Sequence, residues 1–170
     1  MIRNVTGDIL LSKADAIAHG VAPGDHFDQG LALALRERWP ALTKDFRHWC
    51  HNNSPEPGET FAWGGPDETR GTVKIVNLLT QEPSAHQSGH PGKASTQHVG
   101  HALKALAKIA KQEGYSSIAL PKLATGVGGL EWSDVEPLIE KHLGDLSIPI
   151  IVYTTFQADM AADEKLSVTA

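Results

Sequence analysis

The sequence predicts an α/β domain built on a largely parallel sheet with helices on both faces. Three observations carry that prediction. Strand-like apolar runs alternate with helical patterns from end to end, the 170 residues fit one ordinary domain, and neither an internal repeat nor a linker divides the chain. At 41% apolar and 21% charged residues the composition is globular. A domain of about 150 residues buries roughly two-thirds of its unfolded surface, so its core needs no disulfide or metal.

Taken in order, Ile2–Val5 is a short opening strand closed by Thr6, Gly7 and Asp8. Ala14–Ala18 reads as a second, buried strand ending at His19, and a turn-forming loop from Gly20 to Asp28 follows. Gln29–Arg38 is helical, with Leu31, Ala34 and Leu35 on one face and Pro40 as the stop; Ala41–Cys50 continues as helix. Asn52–Gly58 is a run of breakers. Thr60–Trp63 and Val73–Leu79 are strands with a turn at Pro66–Gly71 between them. Gln81–Lys93 is the longest polar segment, read either as a lid or as a plain mobile loop. Val99, Leu103, Leu106 and Ala110 recur at three and four residues, which makes Ser95–Glu113 the strongest helix, stopped by Gly114. Ser117–Leu120 is a strand, and Trp132–Leu143 a helix with Ser133 and Glu136 at capping-box spacing. Pro149–Tyr153 is the last strand. The domain is expected over residues 1–156, with a polar tail, 157–170, that frays.

Charge and cysteine usage exclude several classes. A net charge of −5 argues against a broad basic nucleic-acid surface, leaving nucleic acid only as a modified substrate. A small anion is still admissible, because backbone N–H groups hold phosphate without side-chain charge. The single cysteine, Cys50, forms no intrachain disulfide and reads as a buried, inert thiol. With no signal-like or membrane-length apolar run, a cytoplasmic monomer without membrane contact is expected.

Ligands of parallel sheets sit outside the carboxyl ends of the strands, so three loops are candidate sites. The first runs from His19 to Gly30, with Gly30 near a helix N-terminus that attracts phosphate; its plain reading is a long surface loop. The second, Pro121 to Trp132, carries Gly126, Gly128 and Gly129, which permit close backbone approach, while Thr125 offers a hydroxyl. It matches neither the lysine-bearing phosphate loop nor the dinucleotide fingerprint. The third is Gly7-Asp8-Ile9, where a carboxylate suits an exocyclic amine and equally suits a turn or helix cap. Histidines cluster at His86, His90, His98 and His101, and His48 and His51 flank Cys50. Without paired cysteines or a His-Glu-x-x-His pattern, neither a metal nor any other cofactor is expected.

In this order and spacing the pieces resemble a macro domain over about residues 2 to 156. The matching stretches are Val5-Thr-Gly-Asp-Ile9, Ala16-Ile-Ala-His-Gly20, Gly30-Leu-Ala-Leu33, Arg36-Glu-Arg-Trp-Pro40, Val76-Asn-Leu-Leu-Thr-Gln81, Ile118 through Trp132 with Val135 behind it, and Ile150-Ile-Val-Tyr153. The resemblance implies a three-layer α/β/α fold around a mixed, largely parallel sheet, and binding of ADP-ribose or of an ADP-ribosylated macromolecule. Asp8 would hold the adenine amine, supported by the Ile9 backbone, with Tyr153 or Phe156 packed nearby. Ala124, Thr125, Gly126, Val127, Gly128 and Gly129 would wrap the diphosphate. Gln29, Gly30 and Leu31 would line it and the distal ribose from the other side.

The first loop is most similar to the branch that includes terminal ADP-ribose protein glycohydrolase and the yeast ADP-ribose-1″-phosphate phosphatase. Where that glycohydrolase uses a lysine and an aspartate, this chain has Gln81 and Gly128, so the lysine mechanism does not carry over. The phosphatase relies on a histidine that aligns with His19. Asp28, His19, His26 and Asp25 are therefore the expected acid–base set, with Asp28 first because it replaces a glycine facing the sugar. Three readings stay open: hydrolysis of an ADP-ribosyl linkage, non-catalytic reading of ADP-ribose, and binding of another nucleotide.

Overall fold

Strand β2 (Ala16–Val21) shows how the layers form. Its Ala16 and Ala18 pack with the core on one face, Ile17 and Val21 with the core on the other, and all four are fully buried. Only a strand covered on both faces reads as such a continuous apolar run. The computed structural model describes residues 1–84 and 91–166. Around β2 they form β1 (Ile2–Gly7), a single 3₁₀ turn (Ile9–Leu11), α1 (Gly30–Arg38), α2 (Pro40–Asn53), β3 (Thr60–Asp67), β4 (Gly71–Leu79), α3 (Thr96–Glu113), β5 (Ile118–Pro121), α4 (Trp132–Leu143) and β6 (Ile150–Phe156).

The six-stranded sheet has the order β1-β6-β5-β2-β4-β3, and only the β3–β4 hairpin is antiparallel. Leu35 of α1 with Leu42 and Phe46 of α2 fills one face. Val99, Leu103 and Leu106 of α3 fill the other with Val135 and Ile139 of α4. The three-layer α/β/α expectation is therefore met, with two helices on each side. From β2 the chain leaves through α1 and α2 toward β3 and β4; from β5 it leaves through α4 toward β6, in the opposite direction. The gap between β2 and β5 is thus the topological switch point, where connections diverge and leave a crevice.

Several local expectations are corrected. The second strand starts two residues later and runs on to Val21, because the Asp15 carboxylate is engaged by Ser116 N–H and by Lys74 at a bend, while β4 pairs with β2 as far as Val21. The expected capping box of α4 is not formed: Glu131 is the N-cap, without a side-chain bond, and Ser133 already lies inside the first turn. Ser95 is instead the cap of α3, its hydroxyl accepting from His98 N–H at 3.1 Å.

The tail departs most from its sequence expectation. Residues 157–166 pack on the β1/β6 end of the sheet, with Ala162 and Leu166 against the core that contains Tyr153. Glu164 is buried, and its carboxylate accepts from Ser12 Oγ at 2.6 Å, Lys13 N at 2.8 Å and Tyr153 Oη at 2.8 Å. No helix among the described residues is long and apolar enough to cross a membrane.

Candidate functional site

A cavity of about 350 Å³ occupies the switch point. One wall is the loop after β2, the other the glycine-rich loop after β5, and the floor holds His19 and Gln81. Each wall is built by local chemistry. In the first loop the Asp25 carboxylate accepts from Ala22 N at 3.1 Å and Phe27 N at 2.9 Å, closing a tight turn. Phe27 is fully buried with a φ of 56°, a conformation that its anchoring makes tolerable. Its ring meets His19 edge-on at 5.4 Å and Phe46 at 5.3 Å, so the loop is pinned to the α2 core. Burial raises the Asp25 pKa against the opposing effect of its two backbone bonds, and the Asp28 charge adds to the rise. Cys50 supports the same loop, its Sγ 3.4 Å from Gly24 N, and burial raises its pKa, as suits an inert thiol.

In the second loop Leu130 N donates to Ala124 O and Gly129 N to Gly126 O, while Gly128 O accepts from Ala94 N. A Cβ on Gly128 would lie 2.7 Å from Ala124 O, so the fold itself demands glycine there. At Gly126 a Cβ would meet nothing within 4 Å. Its backbone faces open space, which is what close approach by a ligand requires. Gly30, the first residue of α1, has a φ of 61° and opens the helix N-terminus into the cavity.

His19 and Asn77 are partners in the β2–β4 register, as are Asn77 and Phe61 across β4 and β3. His19 Nε2 lies 2.6 Å from Asn77 Oδ1, and Asn77 Nδ2 donates to Phe61 O at 3.0 Å. Burial pulls the His19 imidazole down to about 4, the Asn77 bond opposing that shift in part. Gln81 is also buried, and its Nε2 donates to Gly92 O at 3.0 Å.

The structure divides the expected site residues into groups. His19, Asp25, Gln29, Gly30, Leu31, Ala124, Gly126, Val127 and Gly128 line the cavity together. Thr125 and Gly129 belong to the same loop but not to its wall, and the Thr125 hydroxyl donates to Lys122 O at 3.0 Å rather than toward the cavity. His26 and Asp28 are half-buried in the first loop outside the cavity lining; the His26 carbonyl accepts from Arg36 Nη1 at 3.1 Å. Asp8, Ile9 and Phe156 sit at the carboxyl ends of β1 and β6, and Phe156 pairs with Gly7 and is 72% exposed. The Asp8 carboxylate accepts from Leu10 N and Asp159 N, both at 3.0 Å, so it caps the 3₁₀ turn and holds the tail. Tyr153 turns into the core and donates to Glu164 instead of facing the crevice.

The sequence pattern does not single out Asn77 as a site residue, although a lone amide inside the apolar run Val76–Leu79 is a signal that a buried partner exists. Among the described residues no three His, Cys, Asp or Glu side chains gather as a metal site; His98 pairs with Glu82 at 2.8 Å. His86 and His90, and with them the centre of the Gln81–Lys93 segment, lie outside the described residues.

Comparison with known proteins adds to this geometry. The family model described as "Macro domain" matches residues 20–139. A protein of Lodderomyces elongisporus named ADP-ribose 1″-phosphate phosphatase is 24% identical over 147 residues, covering 82% of this chain and 91% of that one. The Thermus aquaticus protein named DNA ADP-ribosyl glycohydrolase is 26% identical over 154 residues, and the match spans 90% of this chain but only 41% of the relative. The solved macrodomain of Thermus aquaticus DarG superposes with a TM-score of 0.77 at 26% identity, covering 91% of this chain and 98% of that structure. A structure of Thermosipho africanus DarTG in complex with ADP-ribose has the same fold, with a TM-score of 0.77 at 23% identity, covering 94% of this chain and 42% of that one.

Proposed function

Since this chain belongs to the macro-domain family, we propose that it binds an ADP-ribosyl group in the crevice between β2 and β5. The observation that supports this best is the pairing of two phosphate-compatible walls at one switch point. The N-terminus of α1 opens from one side, and the unobstructed Gly126 backbone faces from the other. Gly126, Val127 and Gly128 then approach the diphosphate, while Gln29, Gly30 and Leu31 approach it and the distal ribose over His19. The base extends toward Asp8, Ile9 and Phe156. From β2 to β1 there are three strand spacings, about 14 Å, so an extended ligand follows the carboxyl ends of the sheet.

A second reading is that the chain hydrolyses an ADP-ribosyl linkage, and relatives named phosphatase and glycohydrolase across most of this chain's length favour it. His19 and Asp28 are its first candidates. Against it stand the neutral state of His19 and the commitment of Asp25 to its own loop. The geometry therefore supports binding more directly than turnover.

Calorimetric titration with ADP-ribose, ADP and ATP, beside single-turnover release of ADP-ribose from a panel of ADP-ribosylated substrates, separates these readings. Preferential binding of ADP-ribose without release is expected for a reader. Release from any substrate, lost in Asp28→Ala, establishes the hydrolase. If ADP-ribose does not bind, both readings fail.

A further inference from the structure

The relay His19–Asn77–Phe61 has a consequence for what the crevice selects. The Asn77 amide nitrogen is committed to the Phe61 carbonyl, so its oxygen faces His19. An amide oxygen only accepts, so His19 Nε2 carries the proton and donates. The neutral ring's other nitrogen, Nδ1, is then a bare acceptor. His19 lines the cavity, and among the described residues Nδ1 meets no hydrogen-bond partner.

We propose that Asn77 is a positioning residue which locks His19 in the Nε2–H tautomer, so that Nδ1 accepts a hydrogen bond from a ligand hydroxyl and turns away phosphate. The inference deepens the ADP-ribosyl reading and rests on it for the identity of the ligand. A lone pair accepts from a sugar hydroxyl and repels a phosphate oxygen, whereas an imidazolium would attract the anion. The floor below the first loop is thereby a ribose subsite, and the diphosphate is left to the glycine backbone and the α1 N-terminus. Burial holds the ring neutral, which keeps this polarity constant across the physiological range.

On the cavity wall Asp25 uses both carboxylate oxygens on backbone N–H groups, and Gln81 donates its amide nitrogen to Gly92 O, so that its amide oxygen is a second neutral acceptor beside that of His19. Among the described residues, the titratable groups that share the cavity wall with His19 are Asp25 and Lys122, the latter exposed, with His26 and Asp28 elsewhere in the first loop. From β4 and β3 the groups meeting the ring are the Asn77 amide and, behind it, the Phe61 carbonyl, neither of which titrates.

The test is ¹⁵N NMR of the imidazole nitrogens in the full chain between pH 5.5 and 8.0, with the His19 signal identified by its loss in His19→Gln. A protonated Nε2 and a bare Nδ1 across that range are expected, with the Nδ1 resonance moving on addition of ADP-ribose and not of inorganic phosphate. Asn77→Val should release the tautomer and weaken ADP-ribose binding about tenfold, the size of one lost hydrogen bond. Asn77→Asp, which still accepts from Nε2, should restore the tautomer at pH 8.0. An Nδ1–H tautomer, a His19 that titrates near its ordinary value, or an Nδ1 signal unmoved by ADP-ribose that demonstrably binds would overturn the proposal. Absence of ADP-ribose binding would overturn the functional reading and the ligand half of the inference, while the tautomer of the free protein still decides the role of Asn77.

Discussion

At the scale of single residues, the site is made of groups whose chemistry is altered by burial. Sequence reading favours His19 for proton transfer near neutral pH, since free imidazole titrates there. Its pKa of about 4 makes it neutral at pH 7, an acceptor and not a reservoir of protons. The same shift has a stability consequence. A histidine whose folded pKa lies below its unfolded value of 6.5 contributes stability that is complete above pH 6.5 and is lost as pH falls toward 4, because the unfolded chain takes up the proton first. Between pH 7.0 and 4.5 this single group should cost about 2–3 kcal/mol. Urea denaturation of the wild type and of His19→Gln at the two pH values checks this. The loss on acidification should be smaller in the variant by about that amount, and equal losses would refute it.

At the scale of elements, the loop after β5 separates two kinds of glycine that look alike in sequence. Gly128 is required by the fold, since a Cβ there would collide with the Ala124 carbonyl and approach Ala94 Cβ at 3.0 Å. Gly126 is not required by the fold at all. Gly128→Ala should therefore destabilise the free protein, by about 1–3 kcal/mol as for other overpacked sites. Gly126→Ala should leave stability within about 0.5 kcal/mol and instead lower ADP-ribose affinity tenfold or more, because the methyl group fills space reserved for the ligand. Thermal denaturation and calorimetry on the two variants measure both quantities. A Gly126→Ala protein that binds ADP-ribose as the wild type does would remove this loop from the proposed diphosphate contact.

At the scale of the whole molecule, among the described residues two helices lie on each face of the six-stranded sheet, and the tail adds Ala162 and Leu166 to one of the two cores. Glu164 anchors it through three donors from two distant parts of the chain. Burial, together with the bond to Glu164, also pushes the Tyr153 hydroxyl well above its ordinary range, so it remains a donor. Glu164→Ala leaves those donors without their acceptor and should cost roughly 2–4 kcal/mol. Ending the chain at Phe156 should cost more, because Ala162 and Leu166 then leave the core as well. Chemical denaturation of both variants reads this, and an unchanged midpoint in either would mean that the tail carries no stability.

The order of strands and helices, the layered fold and the two loops that wall the crevice were legible from sequence. Each of these depends on local chemistry: hydrophobic periodicity marks the elements, and Gly, Pro and Asp mark the turns. The family resemblance was legible for the same reason, because its motifs are contiguous stretches such as Ile118 to Trp132. Only the tertiary structure decided which of those residues line the crevice. Asp25 appeared as an acid and serves as a turn closer; Tyr153 appeared as a wall for adenine and is tied to Glu164. Asn77 appeared as one residue of a strand and governs His19 from the neighbouring strand. The polar tail looked free because nothing in Gln157–Leu166 has a regular period, whereas its binding comes from Glu164 meeting Ser12, 152 positions away. A hydrogen bond between strands and the desolvation that shifts a pKa are properties of proximity in space. Sequence encodes such proximity through the whole fold and not through spacing along the chain.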